Sequence, residues 1–296
     1  MSLISHDWKV RREVRTTQNF KVYTLSNKEV QIAVVPELGA KIISLRNLQT
    51  GREWLWHPHN ELTLFRNRLG DDFSQSPLAG IDECLPTIAP CQWQGRGLPD
   101  HGEIWSTSWS VDSAAWENVI LQTTNRLKLS PFLLQRSVAL EGSAVRLNYQ
   151  LDNVGNSDEA YLWALHPLIR LQAGDRLDLP SSTRLLLNGE EWLGDLDRGA
   201  PHGTCSKLFA SPISEGLAAV QNEMTGDRLE FQWNPSENNT LGLWHSRGGW
   251  HGHHQFAIEP SNGEPDSLAL AGSKKRCSIL QAGASTQWQV TLKVGR

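Results

Sequence analysis

The stretch at residues 118–153, NVILQTTNRLKLSPFLLQRSVALEGSAVRLNYQLDN, decides the fold class. It contains three runs rich in β-branched and other apolar residues, which are NVILQTTNRL, FLLQRSVAL and AVRLNYQLDN. Ser130-Pro131 and Glu141-Gly142-Ser143 separate these runs. Strand-like runs at intervals of about 8–12 residues, with Pro or Gly at the breaks, predict an antiparallel meander or sandwich.

The same pattern continues in both directions along the chain. On the N-terminal side the runs are VYTL, VQIAVV and KIISLRN, with breaks at Ser26-Asn27 and at residues 36–39. On the C-terminal side they are GLAAVQ, RLEFQW, TLGLWH, HQFAIE, RCSILQ and WQVTLKV. Helix caps followed by a helical period are nearly absent, and no linker or sequence repeat is visible. We therefore predict one large all-β domain over residues 1–296.

Composition and charge exclude several classes of protein. The formal net charge is -4 and no basic stripe is present, so nucleic acid is not an expected partner. The N-terminus lacks the apolar core of a signal peptide, and no window approaches the roughly 20 apolar residues of a membrane span. The four cysteines show no CxxC spacing, which favours reduced thiols over a disulfide framework. We expect a cytoplasmic protein that does not bind a membrane.

Residues 80–103, GIDECLPTIAPCQWQGRGLPDHGE, break the strand pattern. The segment holds four carboxylates and one histidine, which are Asp82, Glu83, Asp100, Glu103 and His101. A long irregular segment inside a compact chain is often functional, so one interpretation is the polar floor of a pocket. The other is a surface loop with solvated charges.

Two further ionisable residues lie at the ends of apolar strands. His166 ends the run YLWALH, and Glu259 ends the run FAIE; Pro167 and Pro260 follow them. Desolvation at such a position raises the pKa of a glutamate unless donors surround it. Together with His101, these residues can serve as a general acid and base near neutral pH. The alternatives are structural histidines and a Glu259 paired with an arginine.

The motifs around these residues resemble those of a known group of proteins. Four short motifs follow one another in order. They are residues 79–81 leading to Pro86, then His101-Gly102, the run ALH ending at His166 and the run AIEP around Glu259. In this respect the chain resembles the galactose mutarotase-like superfamily, the aldose 1-epimerases, and within it the hexose-6-phosphate mutarotase-like branch. The resemblance runs from about residue 20 to residue 294.

The resemblance implies a large antiparallel β-supersandwich that holds a sugar across the open face of one sheet. It implies that Glu259 acts as general base on the anomeric hydroxyl and that His166 acts as general acid on the ring oxygen. His101 would hold and polarise that ring oxygen. Ring opening, rotation and reclosure would then interconvert the α and β anomers of an aldose, with no metal and no other cofactor.

The resemblance also indicates which residues would contact the sugar. Either Arg66 or Arg68 would supply the sugar-binding arginine, and either Asp195 or Asp197 the pocket aspartate. Where the phosphate-binding branch has an arginine shortly after its HG motif, this chain has Glu103, Ile104 and Trp105. With Asp82 and Glu83 placed in the pocket as well, a neutral or amino-bearing sugar fits better than an anionic one.

The segment His251-Gly252-His253-His254 has two interpretations. His251 and His253 would project from one side of a strand, as metal ligands do, but no carboxylate or cysteine lies at zinc-site spacing. The other interpretation is a rim over the sugar, formed with Trp244, Trp250 and His245. Thirteen tryptophans against three tyrosines are in keeping with a sugar-binding rim, since indole faces stack on sugar rings.

Two functional hypotheses follow, in which the chain is a monomer or a homodimer. The first is an aldose 1-epimerase, and the second is a non-catalytic carbohydrate-binding protein of the same fold. A third possibility, a structural or interaction protein, predicts that His101, His166 and Glu259 do not share a pocket.

Overall fold

Two large antiparallel sheets, packed face to face, form the body of the protein in a computed structural model that describes residues 9–58, 62–187, 190–191 and 203–296. The strands, in chain order, are β1 (Arg11–Thr17), β2 (Phe20–Ser26), β3 (Val30–Val35), β4 (Lys41–Asn47), β5 (Ile81–Cys84), β6 (Cys91–Trp93), β7 (Arg96–Leu98), β8 (Ser110–Val111), β9 (Leu121–Arg126), β10 (Phe132–Glu141), β11 (Ala144–Asn153), β12 (Glu159–Tyr161), β13 (Ala164–Ile169), β14 (Asp175–Asp178), β15 (Leu186–Leu187), β16 (Glu190–Glu191), β17 (Thr204–Ala210), β18 (Leu217–Asn222), β19 (Arg228–Trp233), β20 (Thr240–Trp250), β21 (His253–Ser261), β22 (Ser278–Leu280) and β23 (Ser285–Gly295). Two short α-helices, α1 (Ser113–Glu117) and α2 (Leu268–Ser273), and a 3-10 helix, Phe73–Gln75, connect them.

The order of the strands in each sheet shows how distant parts of the chain meet. The first sheet has eleven described strands in the order β1-β2-β3-β4-β5-β13-β21-β20-β17-β15-β16. The second has eight, in the order β14-β18-β19-β23-β11-β10-β9-β8. Small two-stranded sheets pair β6 with β7 and β12 with β22. The prediction of an all-β sandwich is confirmed, and β3, β4, β11 and β19 coincide with predicted runs.

The core lies between the two large sheets because their strands alternate buried and accessible side chains. Along β10, Phe132, Leu134, Arg136 and Val138 are buried, while the residues that alternate with them are half-buried. This alternation is the period of a strand with one face in the core. β13 and β5 differ, since every residue in both strands is buried. The central part of the eleven-stranded sheet is therefore covered on both faces.

One buried ion pair joins the two sheets through the core. Arg136 of β10 donates from Nη1 to Oε1 of Glu83 on β5 at 2.9 Å, and both side chains are fully buried. Oε1 of Glu83 also accepts from the Tyr149 hydroxyl at 2.8 Å, and Oε2 accepts from Trp163 Nε1 at 2.9 Å. Glu83 therefore faces the interior of the sandwich. The expectation that it lines a sugar pocket was wrong, because alternation along β5 turns it to the core.

The segment at residues 80–103 is folded, and half of its residues are buried. It forms β5 and the hairpin of β6 and β7, and Asp82, Glu83 and Glu103 are each at most 1% exposed. Oε2 of Glu103 accepts hydrogen bonds from the backbone N–H groups of Lys128 and Leu129, both at 2.7 Å. The interpretation as a surface loop with solvated charges was therefore wrong.

All four cysteines are free thiols, and Cys84 is buried. Within the described ranges, no helix has the length and apolar character needed to cross a membrane.

Candidate active site

Strand β21 places two polar side chains on the outer face of the eleven-stranded sheet. Side chains two residues apart on a strand point to the same face, so Gln255, Ala257 and Glu259 share a face. Phe256 and Ile258 between them face the core. Because Ala257 has only a methyl group, no large side chain of β21 fills the space between Gln255 and Glu259.

The neighbouring strand β13 places His166 beside Glu259. Ala164 pairs with Ser261 and Leu168 with Ala257, so the register sets His166 opposite Glu259. The His166 Nε2 and Glu259 Oε1 atoms lie 3.9 Å apart, and both residues are almost completely buried. On the other side of His166, strand β5 places Asp82 directly opposite it. Residues 93 positions apart in the chain thus become neighbours across one pair of strands.

A lysine that the sequence analysis did not identify contacts the same glutamate. Lys207 of β17 donates from Nζ to Oε2 of Glu259 and lies 3.5 Å from Oδ1 of Asp266. Gly242 of β20 lies between the two residues in the sheet, and a Cβ there would be in ordinary van der Waals contact with Lys207 Cε, at 3.5 Å. Although burial opposes it, the carboxylates of Asp266 and Glu259 raise the pKa of Lys207 above its ordinary value. Lys207 is therefore an ammonium at neutral pH.

The loop before Gly102 brings His101 to this cluster. His101 and Gly102 both have positive φ angles, and a Cβ on Gly102 would lie 2.1 Å from the carbonyl oxygen of Leu85. A glycine is required there because the loop backbone packs directly on the chain after β5. His101 stacks on Phe73 with ring centroids 3.8 Å apart, and it meets His166 edge to face at 5.0 Å.

Asp100 orients the His101 ring. His101 Nδ1 donates to Asp100 Oδ1 at 2.9 Å, and Oδ2 of the same carboxylate accepts from the Phe73 backbone N–H at 3.1 Å. Burial opposes ionisation of Asp100, but the hydrogen bond from His101 lowers the pKa of this carboxyl below its ordinary value. The carboxylate therefore holds Nδ1–H in place and leaves Nε2 as the free ring nitrogen.

These residues border a cavity of about 310 Å³. Its lining comprises Asp72, Phe73, Ser74, Ile88, Ala89, Asp100, His101, His166, Leu168, Lys207, Trp244, Trp250, Gln255 and Asp266. Among the described residues of this lining, three aspartates and one lysine carry the charges, and none is an arginine. Glu259 is not part of the lining, whereas Lys207, which donates to its Oε2, is. A larger hollow of about 710 Å³ on the eight-stranded sheet is lined by amide, hydroxyl and aromatic side chains and by Glu237.

Several buried polar atoms around the cavity have no hydrogen-bond partner within the described part of the chain. They are His166 Nδ1, Glu259 Oε1, Asp82 Oδ1, Asp266 Oδ1 and both amide atoms of Gln255. Buried polar groups in proteins are nearly always paired, so an unpaired group in a cavity indicates a place for a ligand or water.

Burial shifts the pKa values of Glu259 and His166, which lie opposite each other, in different directions. It raises the pKa of the Glu259 carboxyl, against the opposing charge of Lys207. Burial, with the nearby positive charges, lowers the pKa of His166 well below its ordinary value. At neutral pH His166 is therefore a neutral imidazole. It can donate one N–H to a bound oxygen, while Glu259 offers the unpaired Oε1 as an acceptor.

The structure brings four of the predicted site residues together. His101, His166, Glu259 and Trp244 lie in or against this cavity. The alternative in which the two histidines and the glutamate do not share a pocket was wrong. The alternative of an arginine partner for Glu259 was also wrong, because its partner is Lys207.

The other predicted sugar contacts lie elsewhere. Arg66 is exposed and pairs with Glu37 at 3.0 Å, and Arg68 is also exposed. Neither lines the cavity, which corrects both expectations. Asp82 is buried behind His166 and pairs with Lys41, so it too lies outside the lining. Asp195 and Asp197 lie outside the described residues.

Of the residues in the rim interpretation, the two tryptophans lie at the cavity, whereas His251, His253 and His254 are not in its lining. Trp244 and Trp250 both line it and contact each other edge to face at 5.5 Å. His245 does not take part, because it points to the opposite face of β20 and contacts Phe256. Among the described residues, no group of three or more His, Cys, Asp or Glu side chains is arranged to hold a metal ion.

The residues that sequence reasoning missed are Lys207, Gln255, Asp266, Asp72 and Phe73. Gln255 had a signal, since it lies four residues before Glu259 on the same predicted strand and must share its face. Lys207 had no comparable signal, because its contact with Glu259 crosses from β17 over β20 to β21.

Comparison with solved structures agrees with this architecture. The Slr1438 protein from Synechocystis sp. PCC 6803 is 19% identical with a TM-score of 0.71, and the match covers 100% of this chain and 99% of that one. A galactose mutarotase-like protein from Lactobacillus casei ATCC 334 is 17% identical with a TM-score of 0.68, covering 93% and 100%. A galactose mutarotase related enzyme from Lactobacillus acidophilus is 14% identical with a TM-score of 0.68, covering 93% and 97%.

The chain has the galactose mutarotase-like fold. At these identities the likeness establishes the fold alone, and a fold does not fix a function. No protein-family model matches the chain, and no curated protein matches it either. The functional conclusion for this member of the galactose mutarotase-like fold therefore depends on its cavity.

Proposed function

We propose that the protein is an aldose 1-epimerase, which interconverts the α and β anomers of an aldose. The observation that carries the proposal is the 3.9 Å separation of Glu259 Oε1 and His166 Nε2 beside the cavity. Ring opening of a hemiacetal needs a base at the anomeric hydroxyl and a proton donor at the ring oxygen. These two oxygens are bonded to the same carbon, so the two catalytic groups must lie close together.

The proposed reaction begins with loss of the anomeric hydroxyl proton to Glu259 Oε1. The C1–O1 bond becomes a carbonyl as the bond between C1 and the ring oxygen breaks, and that oxygen takes a proton from His166 Nε2. Rotation about C1–C2 presents the other face of the carbonyl. Reclosure reverses the proton transfers and returns both groups to their initial states, so no other reactant is consumed.

The surroundings suit each residue to its role. A glutamate with a raised pKa is a stronger base than one in water, which favours proton removal. His166 is neutral, so it meets the ring oxygen as a hydrogen-bond donor and transfers its proton only as negative charge develops there. His101, oriented by Asp100, lies 5.0 Å from His166 between ring centroids and can hold the same oxygen.

The test is anomer exchange, followed by polarimetry or saturation-transfer NMR across a panel of free aldoses. Glu259→Gln keeps the size of the side chain but removes the base, and we expect exchange to fall by roughly 10²–10⁴-fold. His166→Asn should fall within the same range. Glu117→Gln, on the exposed face of α1, is the matched control and should exchange as the unmodified protein does. Unchanged exchange in Glu259→Gln would remove the mechanism.

A second candidate is a carbohydrate-binding protein without turnover. The observation in its favour is Lys207, which holds one Glu259 oxygen and lines the cavity, whereas Glu259 does not. Binding of aldoses by the unmodified protein, with no acceleration of anomer exchange, would establish this candidate and exclude the first.

A further inference from the structure

We propose that Gln255 determines which sugar the cavity accepts, by binding hydroxyl groups at the end of the ring remote from the anomeric carbon. The inference rests on the proposed function, because Glu259 and His166 set where the anomeric carbon lies. It goes beyond that function by naming a residue that selects the substrate and the chemistry that it selects.

The first argument is the state of the Gln255 side chain. It lies in the lining of the cavity, and the residue is only 1% exposed. Its Nε2 and Oε1 atoms are both buried without a hydrogen-bond partner in the described part of the chain. Leaving a buried amide unpaired is unfavourable, so the site is incomplete until a partner arrives.

The second argument is the position of Gln255 along β21. The Cα atoms of Gln255 and Glu259, four residues apart on one strand, are separated by about 13 Å. Both side chains point to the same face, and only the methyl group of Ala257 stands between them. Leu168 and Trp244 flank Ala257 on the adjacent strands and provide apolar surface there. A hexose with its anomeric carbon at Glu259 would therefore extend over Ala257 towards Gln255.

The third argument is the hydrogen-bonding capacity of the amide. Gln255 offers one acceptor and two donor hydrogens, and a sugar hydroxyl can both donate and accept. A phosphate dianion only accepts, so it would leave Oε1 of Gln255 unpaired. It would also meet the carboxylates of Asp72, Asp100 and Asp266, and the described lining residues include no arginine and a single lysine, Lys207, which is paired with Glu259. The amide and the surrounding charge therefore both favour a free aldose over its phosphate.

The experiment compares substrates that differ at single positions. Anomer exchange would be measured for a free hexose, for its 2-deoxy, 4-deoxy and 6-deoxy analogues, and for the hexose 6-phosphate. The variants are Gln255→Leu, which removes the amide, and Gln255→Asn, which keeps it but withdraws it by one methylene group. Gln135→Leu, on a half-buried position of β10, is the matched control.

For the free hexose, Gln255→Leu should lower kcat/KM by roughly 5- to 100-fold, mainly through KM, because one or two hydrogen bonds are lost. The unmodified protein should disfavour the 4-deoxy or the 6-deoxy sugar, and Gln255→Leu should no longer distinguish it from the parent hexose. The 2-deoxy sugar should show no such coupling. Gln255→Asn should retain part of the discrimination, and the phosphate should be a poor substrate throughout.

Several outcomes would overturn the inference. A Gln255→Leu variant that folds normally and keeps the substrate preferences of the unmodified protein would show that the amide is only packing. Preference for the phosphate would exclude the substrate class. If the unmodified protein exchanges no aldose, the proposed function fails by itself. The same sugars are then tested for binding by saturation-transfer difference NMR. Loss of the deoxy-sugar discrimination in Gln255→Leu would support the role of Gln255, and retention of that discrimination would overturn it.

Discussion

Two buried glutamates of the eleven-stranded sheet, Glu83 and Glu259, have opposite surroundings. Both are at most 1% exposed, and each forms an ion pair with one arginine or lysine. Both oxygens of Glu83 are satisfied, by Arg136, Tyr149 and Trp163. Glu259 has one oxygen held by Lys207 and another without a partner.

The difference shows what separates a structural carboxylate from a candidate catalytic one. Burial alone does not separate them, since it raises the pKa of both groups. The face of the sheet on which each residue lies separates them. The inner face packs on a second sheet, which supplies hydrogen-bond donors to Glu83. On the outer face, two neighbours of Glu259, His166 and Lys207, line an open cavity instead. An unpaired oxygen is a cost to folding unless a substrate atom takes the free position.

The largest expected contrast is between Glu83→Gln and Glu259→Gln. Glu83→Gln leaves the Arg136 guanidinium buried without its counter-charge, so the free energy of unfolding should fall by about 3–5 kcal/mol. Glu259→Gln should lose roughly 10²–10⁴-fold in anomer exchange, as given above, with a smaller loss of stability because Lys207 keeps Asp266 nearby. Chemical denaturation and exchange rates, measured on both variants, check the contrast.

The matched experiment is exchange by the folded fraction of Glu83→Gln, which should equal that of the unmodified protein at a temperature where both are folded. If Glu83→Gln abolished exchange while remaining folded, the division between the two faces of the sheet would be wrong.

The pH dependence of exchange gives a more moderate test. Glu259 accepts a proton only when ionised, and its pKa is raised above its ordinary value. The rate should therefore fall with decreasing pH through that raised pKa, so the acid limb lies above pH 4.5. Lys207→Met removes the cation that lowers this pKa, and the acid limb should move to higher pH. Profiles of kcat/KM against pH for both proteins measure the shift.

The direction of the shift is the decisive feature of that experiment. An acid limb that moved to lower pH, or stayed in place, would mean that Lys207 does not stabilise the ionised form of Glu259.

The smallest expected effect is at the arginines that the sequence had suggested for sugar binding. Arg66 forms an exposed ion pair with Glu37, which typically contributes about 0–1 kcal/mol to stability. Arg66→Ala and Arg68→Ala should leave anomer exchange unchanged within about twofold, since neither side chain lines the cavity. A large rise in KM in either variant would show that the arginine contacts the sugar despite its position outside the cavity.

Much of the fold follows from local sequence patterns. The runs that became β3, β4, β10 and β11 were visible because strand propensity and turn residues act over a few positions. The hairpin of β6 and β7 was missed because its strands have only three residues each.

The candidate site was only partly visible in the sequence. His101, His166 and Glu259 were identifiable because each follows or ends a recognisable motif. Asp82 and Glu83 are neighbours in the chain, yet one lies behind His166 and the other in the core, and composition does not tell these positions apart. Only the pairing of β5 with β13 decides the matter.

The amino-acid order was enough to establish an all-β chain with one glutamate and two histidines at strand ends, because those features depend on neighbours in sequence. The tertiary structure alone decided that Lys207 meets Glu259, that Gln255 reaches the cavity and that Arg66 does not. Those contacts depend on the register of strands distant in the chain and on which sheet face remains uncovered. Neither property is encoded within any single run of residues.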